Sequence, residues 1–188
     1  MYLSQVKPED MPEPVRAVWE QAADGGKKFI AAMAHAPVHA ERLFPYYNGV
    51  RYETLIGPKL CELLRLAIAQ TTQCPICLPA RRQEALDDGM TEEQVARLVT
   101  PDREVFTEAE LAVVSFAYKF GADHFSIGEA DFRELRRHFS EEEVTEIGML
   151  CAQFLGFGRL VMVLGLENPS CPIPADSPAA ASAASHGL

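Results

Sequence analysis

Apolar residues recur at helical spacing along most of the chain, and turn or capping sequences separate the amphipathic segments. The clearest segment opens at Gly57-Pro58 and runs to about Thr72. Its apolar positions follow a 3.6-residue period and include Leu60, Leu63, Leu64 and Ile68. Earlier helices are predicted at about 14–19, at 27–34 and after Pro37. We find no convincing alternating strand pattern, so the predicted fold is all-α.

Capping boxes mark three of the later helix starts, at Thr91, Thr107 and Ser140. The helices that they open are predicted to end near Val99, Phe120 and Leu164, and a further helix is predicted over 129–139. Beyond these helices the sequence is rich in Pro, Ala and Ser. We therefore predict a single compact multi-helix domain over 1–168, followed by a flexible tail over 169–188.

Composition limits the possible functions. The chain has 188 residues, of which 48% are hydrophobic, enough for one well-packed domain. Its formal net charge of −10 disfavours binding to nucleic acid or to an anionic membrane. We expect no membrane span, because no apolar run approaches the ~20 residues that a bilayer requires. The N-terminus lacks a basic region followed by an apolar stretch, so we expect a cytoplasmic protein without a signal peptide.

Two of the five cysteines form a Cys-x-x-Cys motif, Cys74-Pro75-Ile76-Cys77. Because Pro79 is best tolerated in the first turn of a helix, we expect a helix to begin near Cys77 or Leu78, with the motif at its N-terminus. Unpaired backbone N–H groups and the helix dipole would favour a thiolate there, as would Arg81 and Arg82. The sequence therefore predicts a thiol/disulfide couple at this position.

Other interpretations of the histidines and cysteines remain open. A zinc site usually needs two further ligands at recognisable spacing, and none follows the motif. His35 and His39 have helical spacing, but Pro37 lies between them and no acidic motif accompanies them. We expect neither a metal nor a cofactor. An inert pair of buried thiols is the main alternative, and Cys61 and Cys151, in apolar helical patterns, are predicted to be buried free cysteines.

Three segments together resemble the alkylhydroperoxidase D-like branch of the carboxymuconolactone decarboxylase family. They are Glu62-Leu63-Leu64-Arg65-Leu66-Ala67-Ile68-Ala69, the Cys-x-x-Cys motif, and Ala85 to Gln94, within a core match over 55–99. The resemblance implies an all-α fold and a homo-oligomer, such as a trimer or a hexamer. It also implies that Cys77 attacks a hydroperoxide, that Cys74 resolves the product as a disulfide, and that Glu62, twelve residues before Cys74, starts a proton relay.

The sequence departs from that branch at both relay histidines. Ile76 stands between the cysteines, and Arg81 stands four residues after Cys77. Arginine stays protonated, so Arg81 can act as a fixed charge but not as a base. On a plain helical hairpin of 59–72 and 78–87, Glu62 would lie ~16 Å of helix rise from the turn, at the level of Glu84.

Three functions are consistent with these features. The first is a thiol-dependent oxidoreductase that reduces a small hydroperoxide or disulfide and is recycled by an unknown thiol donor. In this reading Cys77, Cys74, Glu62 and Arg81 form the catalytic site. The second is a decarboxylase or lactone-processing enzyme, in which Arg81 clamps a carboxylate. The third is a non-catalytic oligomeric helical module.

Overall fold

The computed structural model describes residues 2–166, which form nine α-helices and two short 3₁₀ helices, with no strand in that range. The predicted all-α class is confirmed. The 3₁₀ helices are Pro8–Asp10 and His124–Ser126. The α-helices are α1 (Glu13–Gln21), α2 (Asp24–Met33), α3 (Pro37–Tyr52), α4 (Gly57–Thr72), α5 (Gln83–Asp87), α6 (Glu92–Ala96), α7 (Glu108–Ala122), α8 (Glu129–Leu135) and α9 (Glu141–Val163).

Helix α4 is the central element of the main core. Every residue from Cys61 to Ala69 is buried, which identifies a helix surrounded on all sides rather than one at the surface. Helices α7 and α9 pack along α4. Both begin at the predicted capping boxes, with Thr107 and Ser140 accepting a hydrogen bond from the backbone of the first turn.

Two glycines allow α7 and α9 to approach the last turn of α4. A Cβ atom at Gly121 of α7 would collide with Thr71. A Cβ atom at Gly158 of α9 would lie 2.8 Å from Thr72 Oγ1, closer than real Cβ atoms come to such an atom. The end of α4, immediately before Cys74, is therefore held tightly between two helices.

Helices α1 to α3 form a second, smaller core around residues such as Val15, Ile30 and Phe44. A third cluster joins this unit to the rest of the domain through Ala32, Cys74, Val161 and Leu166. The Cys-x-x-Cys segment therefore lies where the N-terminal helices meet the end of α9.

Helix α9 corrects one expectation. By length and composition alone it is apolar enough to cross a membrane, although we expected no such run. Ile147, Leu150 and Cys151 of α9 are buried in the main core. A core helix passes the same test, so this helix is weak evidence for a membrane span.

The helix bounds follow the sequence prediction closely at α4, α7 and α9 and less well elsewhere. Helix α8 ends at Leu135, four residues before the predicted end. Helix α5 begins at Gln83, so the predicted helix over 78–87 is wrong in its first half. The predicted tail and Cys171 lie outside the described residues.

Candidate active site

Cys74 and Cys77 lie in a tight turn after α4. Gln73 ends the helix in the left-handed conformation, with φ of 52°. The backbone N–H groups of Cys77 and Leu78 then donate to the Cys74 carbonyl, at 3.1 and 3.0 Å. The two cysteines are joined as a disulfide with Cα atoms 5.2 Å apart.

This turn corrects the predicted position of the motif at a helix N-terminus. Prolines at 75 and 79 bracket the second cysteine, and Pro79 has no N–H to donate to the carbonyl four residues earlier. The chain is extended at Arg82 before α5 begins. The dipole of a following helix therefore does not act on these sulfurs, and any stabilisation of a thiolate must come from other groups.

The two cysteines differ in access. Cys74 is fully buried, with 0% exposure, in the cluster that joins α2 to the end of α9. Its Sγ accepts a hydrogen bond from the Cys77 backbone N–H at 3.2 Å. Cys77 is only half-buried and lines a cavity of about 760 Å³. A small molecule in this cavity therefore meets Cys77 first.

Glu62 and Arg65 form a buried ion pair behind the turn. Both side chains are almost fully buried, and the guanidinium donates to both carboxylate oxygens, at 2.6 and 2.8 Å. Arg65 also donates to the Cys77 carbonyl at 2.8 Å and to the Ala80 carbonyl at 2.9 Å. The Arg82 backbone N–H donates to Glu62 at 3.1 Å. This pair therefore fixes the segment that follows the cysteines.

The environment keeps Glu62 ionised. Burial alone would raise the pKa of this carboxyl, but the hydrogen bonds and charge of Arg65, aided by Arg51 and the Arg82 backbone, hold the pKa below its ordinary value. The carboxylate lies at the level of Arg82, close to the level that helix rise predicts, and it reaches the cysteines only through Arg65. A carboxylate held in this way is a fixed anion.

Arg81 lies on the other side of the segment. It pairs with Glu92, whose side chain is 67% exposed, and donates to the carbonyls of Leu78 and Ala80, at 2.7 and 2.9 Å. None of the hydrogen bonds or ion pairs described for Arg81 involves Glu62 or a cysteine, and Arg81 does not line the cavity. The structure therefore brings together Cys74, Cys77 and, through Arg65, Glu62, but not Arg81.

Two arginines at this site, Arg65 and Arg51, were not predicted from the sequence. Arg65 stands three residues after Glu62 in an otherwise apolar helix, and this spacing of opposite charges on one buried face is a signal that could have identified the pair. Arg51, near the end of α3, lines the cavity beside Tyr47. Its position depends on how α3 packs, so no local pattern indicates it.

The remaining described cysteines are set apart from this chemistry. Cys61 and Cys151 are free and buried, as predicted. Burial raises the pKa of the Cys61 thiol to about 12, and it raises the pKa of Cys151 further. Burial therefore disfavours the thiolate form of both near neutral pH. Within residues 2–166, no group of three or more His, Cys, Asp or Glu side chains is arranged to hold a metal ion.

Comparison with protein families identifies the segment that carries the site. Residues 37–119 match the carboxymuconolactone decarboxylase family model. Over this segment, which is less than half of the chain, the protein is similar to that family. The matched segment runs from α3 into α7 and contains Glu62, Arg65, Cys74, Cys77 and Arg81. The resemblance predicted from the sequence is thus confirmed over this segment, while a comparison with curated proteins gave no match.

Solved structures share the fold. An alkylhydroperoxidase AhpD core protein from Ralstonia eutropha JMP134, peroxidase-related, is 18% identical over 90% of this chain and 93% of its own, with a TM-score of 0.69. A putative antioxidant defence protein AhpD from Agrobacterium tumefaciens is 21% identical over 73% and 94%, with a TM-score of 0.64. The debrominase Bmp8, solved as a cysteine-to-alanine variant with 2,3,4-tribromopyrrole, is 18% identical over 99% and 97%, with a TM-score of 0.69.

Proposed function

We propose that this protein is a thiol-dependent oxidoreductase that reduces a small molecule held in the cavity beside Cys77. The difference in access between the two cysteines carries the proposal. Cys77 lines the cavity, whereas Cys74 is buried behind it at disulfide distance. Such an arrangement suits an attacking thiolate and a resolving thiol, the roles that the family resemblance assigns to these residues.

With a hydroperoxide, the Cys77 thiolate attacks the terminal peroxide oxygen and the O–O bond breaks. An alcohol leaves, and Cys77 becomes a sulfenic acid. The Cys74 thiol then attacks this sulfur, water leaves and the disulfide forms. The two thiols supply both electrons, and a thiol donor of a partner molecule restores them by disulfide exchange.

Glu62 and Arg65 act as positioning residues in this scheme. The carboxylate is held by two hydrogen bonds from Arg65 and one from the Arg82 backbone, so it is poorly placed to carry protons to the sulfurs. Arg65 instead holds the Cys77 carbonyl and keeps the turn in one conformation. We therefore propose that protons reach the site from water in the cavity.

Reductive dehalogenation is a second candidate. The observation that favours it is the overlap of almost the whole chain with the debrominase Bmp8. The electron balance is the same as for peroxide reduction. Two thiols and an aryl bromide give the disulfide, the arene and hydrogen bromide. The chain would then need the same cavity, the same cysteine pair and the same thiol donor.

We also propose that the chain works as a homo-oligomer in the cytoplasm. The oligomer rests on the family resemblance. The cytoplasm rests on the need for a reducing environment to return the disulfide to two thiols. Sedimentation at micromolar concentration that gives only a 20.7 kDa species would contradict the oligomer.

A thiol count tests the proposed function. Protein reduced with dithiothreitol and desalted is treated with cumene hydroperoxide, and in parallel with 2,3,4-tribromopyrrole, before free thiols are counted and peptides are mapped. We expect a loss of two thiols per chain and a Cys74–Cys77 peptide with the reactive substrate. A link to Cys61 or Cys171, or five free thiols with both compounds, would contradict the proposal and favour a non-catalytic module.

A further inference from the structure

The cavity beside Cys77 has mainly aromatic and aliphatic walls. Phe29, Phe44, Phe154 and Phe157 line it together with Tyr47. The ring centroid of Phe157 lies 5.4 Å from that of Phe29 and 5.6 Å from that of Tyr47, in edge-to-face arrangements. At about 760 Å³ the space is large enough for a bicyclic compound. Walls of this kind favour a flat apolar ligand.

Ile76 makes the wall next to the sulfur apolar as well. Helix α2 comes so close to it that a Cβ atom at Gly25 would lie 2.8 Å from Ile76 Cγ2. Both residues line the cavity. Arg65 also lines the cavity next to Cys77, but Glu62 and two backbone carbonyls already engage its guanidinium. A polar substrate group is therefore better served elsewhere in the cavity.

Arg51 differs from the other charged residues that line the cavity in its hydrogen bonding. It donates to the Tyr47 hydroxyl at 2.8 Å, and its guanidinium lies 5.1 Å from the centroid of the Tyr52 ring. Among the described residues no carboxylate forms an ion pair with it, and its buried Nε has no hydrogen-bond acceptor. Burial alone would lower the pKa of Arg51, but Tyr47, Tyr52 and the charge of Glu62 raise it, so the guanidinium stays charged. Because Glu62 is itself paired with Arg65, Arg51 keeps an unused N–H that an anionic ligand could engage.

The other charges of the cavity do not cancel that of Arg51. Arg65 is neutralised by its ion pair with Glu62. Asp24 also lines the cavity, but it is exposed at the start of α2, where water screens its charge. Arg51 is thus the arginine of the lining that has no ion-pair partner among the described residues, with Tyr47 beside it, and Cys77 lines the same cavity.

We propose that this site selects flat, largely apolar compounds that carry one acidic group, with Arg51 binding that group while the rest of the molecule reaches Cys77. This inference rests on the proposed function and names its substrate class. A carboxylate or a phenolate-like oxygen would accept hydrogen bonds from Arg51, and the aromatic side chains would enclose the ring.

Calorimetric titration of the oxidised full-length protein with 2-naphthoate and with 2-naphthamide tests the proposal. The two probes share one ring system and differ in charge. We expect naphthoate to bind about tenfold more tightly than the amide, the size expected for a hydrogen bond to a charged group. Arg51→Gln should abolish this preference, and Arg51→Lys should retain part of it. Arg42→Gln, which removes an exposed arginine of the same helix that does not line this cavity, should leave it unchanged.

The outcomes of these titrations distinguish failure of the proposed substrate class from failure of the proposed function. Equal binding of the two probes, no binding of either, or an unchanged preference in Arg51→Gln would overturn the substrate class. Thermal unfolding checks that Arg51→Gln is folded, and if it is not, the wild-type preference and Arg51→Lys decide. Because binding needs no turnover, loss of the preference with an intact thiol response contradicts this inference alone. Binding without any thiol response contradicts the proposed function instead.

Discussion

The two sides of the Cys74–Cys77 turn are built in opposite ways. On one side, Glu62 and Arg65 are paired and buried, and they are hydrogen-bonded to the backbone of Cys77, Ala80 and Arg82. On the cavity side, Arg51 forms no ion pair with any described residue, and its Nε lacks an acceptor. The first side is complete without a ligand, whereas the second is not.

The difference suggests that the Glu62–Arg65 pair supports the turn, whereas Arg51 is available to bind a ligand. A saturated buried ion pair gives rigidity and one conformation, because any movement breaks several hydrogen bonds at once. An unsaturated cation in an apolar cavity gives little to stability and leaves room for a ligand. Variants of Glu62 or Arg65 should therefore change mainly the free energy of unfolding, and variants of Arg51 should change mainly ligand binding.

The cysteines themselves should show the largest effect. Cys77→Ser should abolish substrate reduction, because the attacking sulfur is lost. Cys74→Ser should still react once and then accumulate as a sulfenic acid or as a mixed disulfide with the donor thiol. Mass spectrometry of both variants after hydroperoxide treatment distinguishes these states. Equal loss of reactivity at both positions would show that access does not separate their roles.

Arg65→Met should produce the largest loss of stability. It leaves the Glu62 carboxylate buried and uncompensated, at a cost of about 3–5 kcal/mol in the free energy of unfolding. Arg133→Met is the matched control, because Arg133 makes an exposed i,i+4 pair with Glu129 that is worth little. Urea unfolding measures both variants. Similar losses would mean that the buried pair is not what fixes the turn.

Glu62→Gln should cost about 2–4 kcal/mol at neutral pH, because buried Arg65 loses its counterion while the amide oxygen still accepts part of the hydrogen bonding. The pKa of Glu62 is lowered in the folded protein, so its contribution to stability is present above the ordinary value near 4.5 and is lost as pH falls through the folded-state value. The variant should therefore lose less stability than the wild type between pH 5 and pH 3. Glu84→Gln, at an exposed carboxylate, should follow the wild-type curve.

The contact between Gly158 of α9 and Thr72 at the end of α4 offers a further test of how rigidly the turn is held. Gly158→Ala should cost about 1–3 kcal/mol, because its Cβ would press on Thr72 Oγ1. Gly156→Ala, two residues earlier in α9, meets nothing within 4 Å and should stabilise the protein by about 0.5–1 kcal/mol. Thermal unfolding of the pair gives the sign of each change, and two stabilised variants would show that Thr72 moves freely.

The sequence predicted the scaffold better than the site. Periodicity and capping boxes gave the bounds of α4, α7 and α9 because those signals are local. The start of α5 was wrong, since Pro75 and Pro79 favour a turn whose extent depends on hydrogen bonds from Arg65 to distant carbonyls. Arg51 was missed for the same reason. Its role depends on a cavity between α2, α3 and α9, which no single segment encodes.

Substitution of Arg81 should have the smallest effect on stability and on thiol reactivity, although the sequence predicted that its charge would stabilise the thiolate. Its ion-pair partner Glu92 is exposed, so Arg81→Ala should cost less than about 1 kcal/mol of stability. Its charge is directed to Glu92 and to the Leu78 and Ala80 carbonyls, away from the cavity. We therefore expect the rate of iodoacetamide alkylation of reduced Cys77 to change by about twofold or less, since the paired carboxylate of Glu92 offsets the Arg81 charge. Arg51→Gln, which removes the cavity charge, should slow the same reaction more. If alkylation of Cys77 were slower in Arg81→Ala than in Arg51→Gln, Arg81 rather than Arg51 would be the charge that acts on the thiolate.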